Sequence, residues 1–560
     1  MNYLYHLTLL PLFFGLIAAL MPAFLFRVTG FIAAGVSLVI MRAAILSFPQ
    51  CSLGFLGIQE FFRVEHIGLA MILLLASSGL IISLYMVSRK KEERSSLFWG
   101  LFIWTLFSGS LFFLSGNTLT FLLGWVFSST LCSLMYYLYV SAEAGRINFF
   151  ISGLETTLLV TGLLVLYTKS GSLSTQLKPM NMAGIGELFI FFTLLIAAII
   201  RVLASPVQKI QLRSNIRAGL GMSALFPATL NKLTGGWLMK KLFFDWFIIP
   251  PLVRYILIFF GSALVIIGAL RALVEDDINK FVGYHSKSMS GYIILAFASG
   301  GLLGLTAGYL YLFNSILFIQ YLFLSAAIIL GNEGETDMRM LGGLGKNFPI
   351  TFAGVLIIAA AISGLPPLNG FISIRMLSLS LAEGGTFSSL WVYVILIATL
   401  LVLFSFVKFI YFVFLRRPSS LQRKKIVERK GFTLPALLLL PAICIIIGLF
   451  PSYFLNFFIT AINGSLELFA DLKLEKSLTI MGITSVFGGI LYLLFRTGKP
   501  RFTPIHTGEL SIPEDIPLSG EDVLSDISKS HLFLRFMKHI NVGQAVLLKT
   551  IRLSFAAPLL

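Results

Sequence analysis

The chain has 560 residues, of which 57% are apolar and only 12% charged, with a mean hydropathy of +0.92. That composition excludes both a soluble globular domain and a disordered chain, and matches a polytopic membrane protein. The net charge of +17 does not imply nucleic-acid binding, because the Lys and Arg residues collect in short loops between apolar segments, the pattern that membrane topology produces.

Apolar windows of about 20 residues, the length a helix needs to cross a bilayer core of about 30 Å, recur along the chain. They fall at 5–26, 29–47, 67–88, 96–115, 118–140, 148–168, 185–204, 218–238, 246–270, 283–300, 304–330, 349–372, 388–415, 433–458 and 478–496, fifteen in all. The first has an uncharged start and exceeds a signal-peptide core, so it reads as a retained helix. Cys51, Cys132 and Cys444 are far apart and in no ligand spacing, so they indicate packing rather than a metal site or a disulfide.

The basic loops test this count. Arg89, Lys90, Lys91 and Arg94 follow segment 3, Arg146 follows 5, Lys209, Arg213 and Arg217 follow 7, and Arg271 and Lys280 follow 9. Arg339 and Lys346 follow 11, the run RRPSSLQRKKIVERK (416–430) follows 13, and Arg496, Lys499 and Arg501 follow 15. All are odd-numbered loops, so the rule is met with the N-terminus outside and the C-terminus cytoplasmic. Lys240 and Lys241, after segment 8, are the exception; a short or broken segment 8 around Pro227 would explain them. Beyond segment 15, the Pro-rich acidic stretch 503–528 reads as a cytoplasmic linker. Residues 529–552 read as a terminal amphipathic helix, for the membrane surface or for a partner subunit.

Charges inside apolar segments are functional candidates by default. Arg42 and Arg254 lie near segment ends and can snorkel. Glu155 in segment 6 and Arg201 in segment 7 are lone opposite charges on nearby helices and are expected to pair. Lys232, beside Pro227 and two glycines, lies where broken helix admits water; a lysine can release its proton on desolvation, whereas an arginine cannot. Lys408 in segment 13 is a second titratable candidate or a snorkelling side chain. Segments 8 and 12, the latter interrupted at Pro366, Pro367 and Gly370, form a pair of broken helices of the kind that line transporter ion paths, and Asn369 is placed to satisfy carbonyls freed there.

RALVEDDINKFVGYHSKSMSGY (271–292), LGGLGKNFPITF (341–352) and SGLPPLNGFIS (363–373) occur in that order. They resemble motifs of the antiporter-like subunits shared by respiratory complex I, Mrp-type cation/proton antiporters and energy-converting hydrogenases. SALFPATLNK, ending at Lys232, resembles the hydrogenase-type broken helix. The matched stretches run from about 117 to 375. The resemblance implies an all-α polytopic membrane protein of about 14–15 transmembrane helices with two inverted five-helix repeats and broken helices. The corresponding divisions are helices 1–3 (1–95), a first repeat (96–240), a second repeat (241–415), two further helices (416–496) and the cytoplasmic linker with its terminal helix (497–560).

The function implied is proton translocation by a membrane subunit of a complex I-type or hydrogenase-type assembly. Lys232 corresponds to the family's helix 8 lysine and is the expected titrating group, with Glu155 and Arg201 as a charge-tuning pair, His285 and Lys287 as exit-side polar groups and Arg375 as a terminal cation. The chain departs from the pattern at Val126, where the family has a glutamate, at Arg201 in place of a lysine, and at Ile319, Ile374 and Arg375. Gln320 and Asn314 with bridging water are the expected repair at Ile319. These departures keep two alternatives open, a structural subunit that no longer conducts and a membrane subunit of a cation or inorganic-carbon uptake system. Implied partners are other membrane subunits, the lipid bilayer and peripheral redox subunits. No nucleotide loop, Fe–S cysteine run or histidine cluster is present in the sequence, so no cofactor is expected and enzyme chemistry would belong to the assembly. A bacterial or archaeal cell membrane is the expected location.

Overall fold

A computed structural model describes residues 6–22, 25–46, 52–55, 58–87, 96–182, 184–203, 216–333, 336–382, 388–416, 428 and 433–455. Segment 15, the linker, the terminal amphipathic helix and Cys51 lie outside the described residues. The described chain is mainly helical, with two small strand pairs: α1 (Leu9–Leu20), α2 (Phe26–Leu46), β1 (Ser52–Phe55), β2 (Ile58–Arg63), α3 (His66–Val87), α4 (Ser96–Phe113), α5 (Thr118–Tyr139), α6 (Ala142–Ser170), β3 (Met180–Asn181), α7 (Ile185–Leu203), α8 (Ile216–Leu225), α9 (Asn231–Lys240), β4 (Phe247–Ile248), α10 (Pro251–Val274), α11 (Ile278–Ser299), α12 (Gly301–Glu333), α13 (Pro349–Ile362), α14 (Asn369–Ala382), α15 (Ser388–Ile410) and α16 (Thr433–Leu449). Among these, nine helices are long and apolar enough to cross a membrane: α2–α7, α10, α12 and α15 extended to Leu415.

Local signals set the helix ends. Asn117 caps α5 by accepting from Thr120 N at 2.8 Å, Ser141 caps α6 through Ala144 N at 3.1 Å, and Asp277 caps α11 through Asn279 N and Lys280 N at 2.9 and 3.0 Å. Proline at the first position starts α10 and α13. The start of α13 is closed from a distance: Glu428, in the basic run after segment 13, accepts from the backbone N–H groups of Ile350 and Thr351, both at 2.9 Å.

The two interrupted segments are built differently. Segment 8 stays one continuous rod, α8, a π turn at Phe226–Leu230, α9 and a second π turn at Lys241–Trp246. Pro227 cannot donate, and the wider turn absorbs the mismatch while the Thr229 hydroxyl donates to Ala224 O at 2.8 Å. Segment 12 is instead two helices, α13 and α14, separated at 363–368, and so does not form the single span 349–372 that its hydropathy suggests. Gly364 turns the chain at φ 65°, and a Cβ on Gly370 would meet Ala361 O at 1.7 Å, so glycine lets α14 restart against the end of α13.

Helix α12 is the pillar of the fold, buried throughout its membrane window. By contrast α6, α10 and α15 turn Phe149, Leu164, Leu252, Phe259, Leu390 and Phe404 outward, as lipid-facing helices do. Small residues draw α10 and α11 together: a Cβ on Gly268 would come 2.8 Å from Ser288 N, and one on Gly291 2.8 Å from Val265 N. Gly268→Val therefore forces these helices apart; a loss of about 1–3 kcal/mol is expected, read as a lower thermal midpoint of the detergent-purified protein.

The loops gather at two opposite ends. At one, Arg63 N and Gly116 N bond Leu114 O and Phe61 O, Thr118 N bonds Leu173 O, β3 pairs in parallel with β4, and the Trp246 indole donates to Thr175 O at 2.9 Å. At the other, Lys408 reaches Glu275 O and Asp276 at 2.7 and 3.0 Å, and Arg416 donates to Arg339 O at 3.0 Å.

Candidate functional site

The site begins at Arg201 on α7, which is 2% exposed. Its Nη1 donates to Glu155 Oε1 on α6 at 2.5 Å and to Ser129 Oγ on α5 at 2.5 Å, its Nη2 donates to Ser128 Oγ, and its Nε donates to Thr234 Oγ1 on α9 at 3.2 Å. The Trp125 ring lies 4.5 Å from the guanidinium carbon. The two lone charges thus meet as an ion pair, within a shell of hydroxyls the sequence reading did not anticipate. Their signal is periodic: Trp125, Ser128 and Ser129 share a face of α5, and Asn148, Ser152 and Glu155 share one of α6. Asn148 extends this polar seam by donating to Ser133 Oγ at 2.9 Å.

Thr234 is two residues beyond Lys232, so α9 carries both ends of the next link. Lys232 is 0% exposed, and its Nζ donates to Ser286 O on α11 at 3.3 Å. Among the described residues no carboxylate pairs with it. His285, the neighbour of that acceptor, stacks on Phe406 at 4.5 Å and meets Ser405 Oγ on α15 through Nε2 at 3.1 Å. Its Nδ1 is buried without a hydrogen-bond partner among the described residues, as are Asn231 Oδ1, Gln320 Oε1 and Asn369 Oδ1. Such orphaned polar atoms on central helices are the positions at which buried water is held.

At Ile319, where the resemblance implies a cation, the neighbouring Gln320 donates to Ser78 O on α3 at 3.2 Å. Asn314 serves the helix break instead: it donates to Asn369 O and to Ser373 Oγ at 3.3 and 2.5 Å, and accepts from Asn369 Nδ2 at 2.7 Å. Asn369, expected to satisfy carbonyls freed at the break, instead donates its amide to Asn314, whose own amide donates to the Asn369 carbonyl. Gln320 and Asn314 donate to different partners, Ser78 O and the helix break before α14.

The other expected residues stand apart from Lys232. Lys408 lies near the C-terminal end of α15, against Asp276, in the position of a snorkelled interfacial cation. Lys287 is half-buried over the Tyr284 ring at 5.1 Å, and Arg375 is half-buried on α14 with its Nε unpartnered among the described residues. Much of the motif 271–280 is a surface staple: Asp277 caps α11, Glu275 pairs with Lys280 at 3.3 Å, and Asp276 pairs with Lys408.

Lys240 and Lys241, the topological exception, are 8% and 3% exposed at the far end of α9. Lys240 pairs with Asp245 at 2.7 Å, and Lys241 with Asp245 at 3.1 Å and Glu65 at 3.4 Å, beside the Trp237 ring. Two buried cations thus face two carboxylates at this end of the rod. Asp245→Asn leaves two buried cations on one carboxylate; a loss of about 1–3 kcal/mol is expected, with partial recovery in Lys240→Gln/Asp245→Asn, measured by thermal unfolding in detergent.

Known proteins resemble this chain. The NAD(P)H-quinone oxidoreductase chain 5 of a Picosynechococcus species is 26% identical over 339 residues, covering 56% of this chain and 50% of the relative. Hydrogenase-4 component B of Escherichia coli is 28% identical over 348 residues, covering 56% of this chain and 50% of the relative. The chain thus spans about half the length of the curated relatives it matches. Among solved structures, a chain of the membrane-bound sulfane sulfur reductase, an archaeal respiratory membrane complex, superposes with a TM-score of 0.75 at 19% identity, covering 98% of this chain and 95% of that one, a likeness of fold. The family model described as NADH:quinone oxidoreductase/Mrp antiporter, TM matches residues 115–405, over half the chain and all of the site from Trp125 to Ser405. This integral membrane protein belongs to the NADH:quinone oxidoreductase/Mrp antiporter transmembrane family.

Proposed function

We propose that the chain is a proton-translocating membrane subunit of a multisubunit assembly of the complex I, Mrp or hydrogenase type, with Lys232 as its titrating group. One observation carries the reading: Lys232 is fully buried, holds one backbone carbonyl and has no carboxylate among the described residues. It stands between a saturated arginine site and the His285–Ser405 contact. A cation so placed can release and regain a proton through water, because no counter-ion pins its charge. Arg201, held by a carboxylate and three hydroxyls, is a fixed charge on α7 that joins α9 through Thr234, two residues from Lys232. The π turn at Phe226–Leu230 and the break at 363–368 support treating 96–240 and 241–415 as two repeats, each with an interrupted helix. The proposed setting is a bacterial or archaeal cell membrane, with the N-terminus outside, other membrane subunits alongside and peripheral redox subunits on the cytoplasmic face.

A second reading is favoured by the same arginine. Four hydrogen bonds and an aromatic face make the Arg201 cluster a lock among α5, α6, α7 and α9, and Ile319 leaves apolar packing where a cation would continue the path. A structural subunit with no conduction would keep both features. The assembly purified through this chain and reconstituted in vesicles distinguishes the two. Proton movement under an imposed membrane potential that depends on Lys232 supports the first reading, and movement indifferent to Lys232 supports the second.

A further inference from the structure

A cleft of about 390 Å³ opens at the ends of α10, α11, α14 and α15, on the side of the β3–β4 pair and away from Lys232. Its polar lining is Arg254, Tyr255, Ser299, Ser380 and Trp391. Arg254 lies one turn into α10, about 4–5 Å along the helix from Pro251. Its Nη1 donates to Ser299 O at 3.2 Å, and no carboxylate pairs with it among the described residues. A guanidinium has five donors, and this one contrasts with Arg201, whose donors are met by an acid and hydroxyls.

The guanidinium occupies space that a side chain at Gly300 would take: a Cβ there would fall 1.7 Å from Arg254 Nη1. The Ser299 and Ser380 hydroxyls bond each other at 2.6 Å, closing the cleft floor beside the start of α12. Phe259 and Trp391 meet edge to face at 6.5 Å, joining α10 to α15, and the Trp391 indole N–H has no partner among the described residues. The walls then continue as outward-facing apolar surface, Ile256 and Phe259 on α10 and Leu396 and Leu400 on α15.

We propose that this cleft binds one anionic phospholipid, with Arg254 holding the phosphate and the outer faces of α10 and α15 holding the acyl chains. Three features select that ligand. The cation has no carboxylate partner among the described residues and calls for net negative charge; it lies a turn inside the helix end, at the depth of the headgroup boundary; and the walls beside it are apolar and lipid-facing. A free anion would match only the first. The inference is independent of whether the chain conducts protons.

The test is lipid retention by the full chain. Purified protein is loaded with phosphatidylglycerol in a phosphatidylcholine background, washed in detergent and weighed by native mass spectrometry. One tightly held phosphatidylglycerol is expected, retained about tenfold less by Arg254→Gln, as for loss of a charge-assisted hydrogen bond. Equal retention by the variant overturns the proposal, as does inorganic phosphate displacing the lipid. On the unmodified protein, a phosphatidylglycerol with a photoreactive group near its headgroup is expected to label 251–258 and 390–393 in vesicles. Labelling of other outward faces without these would also overturn it.

Discussion

Glu155→Gln is expected to destabilise the protein by about 3–5 kcal/mol, the cost of leaving one partner of a buried pair uncompensated. The carboxylate is enclosed among α5, α6 and α7, and Arg201 cannot shed its charge in compensation. Arg201 would keep Ser128, Ser129 and Thr234, neutral acceptors that orient a guanidinium without cancelling it. The double variant Glu155→Gln/Arg201→Met removes both charges and is expected to recover much of the loss, since replacing a whole buried pair is often close to neutral. Thermal unfolding of the two single variants and the double variant in detergent closes the cycle. Additive losses would show that the two side chains act separately and would remove the lock from the account of this site.

The pair also shows how far a sequence can be read here. Two lone, opposite charges in adjacent apolar segments have few stable arrangements in a bilayer, so their meeting follows from cost alone. The motifs at 271–292, 341–352 and 363–373 point to the fold through their resemblance to those of the antiporter-like family. What composition does not disclose is direction. Lys408 in an apolar run reads equally as a titratable intramembrane cation or a snorkelling one, and only the helix end and Asp276 separate the two. Gln320 and Asn314 are both plausible repairs for Ile319, yet one turns to α3 and the other to the break before α14. Ser128, Ser129 and Thr234 are common residues of membrane helices, and their role depends on which face of each helix meets Arg201. Whether an interruption yields a π turn, as at Pro227, or two helices, as at Pro366 and Pro367, depends on whether the freed groups find partners in the same rod.

Lys232→Ala is expected to reduce proton movement by the reconstituted assembly about a hundredfold, or to the leak of empty vesicles if that is reached first. The variant should remain folded, since it removes a buried cation whose described bond is a single contact to Ser286 O, and Leu233 and Gly236 still pack the same turn of α9. Lys232→Arg makes the sharper comparison. It preserves positive charge at the site but supplies a group that stays protonated, so a requirement for charge alone would leave transport intact, whereas a requirement for proton release would abolish it. Loss in both variants, with assembly and thermal stability unchanged, is the pattern a titrating lysine demands. Unchanged transport in Lys232→Ala would overturn the proton-carrier reading and leave the Arg201 cluster as the main role of these intramembrane charges, that of holding helices together.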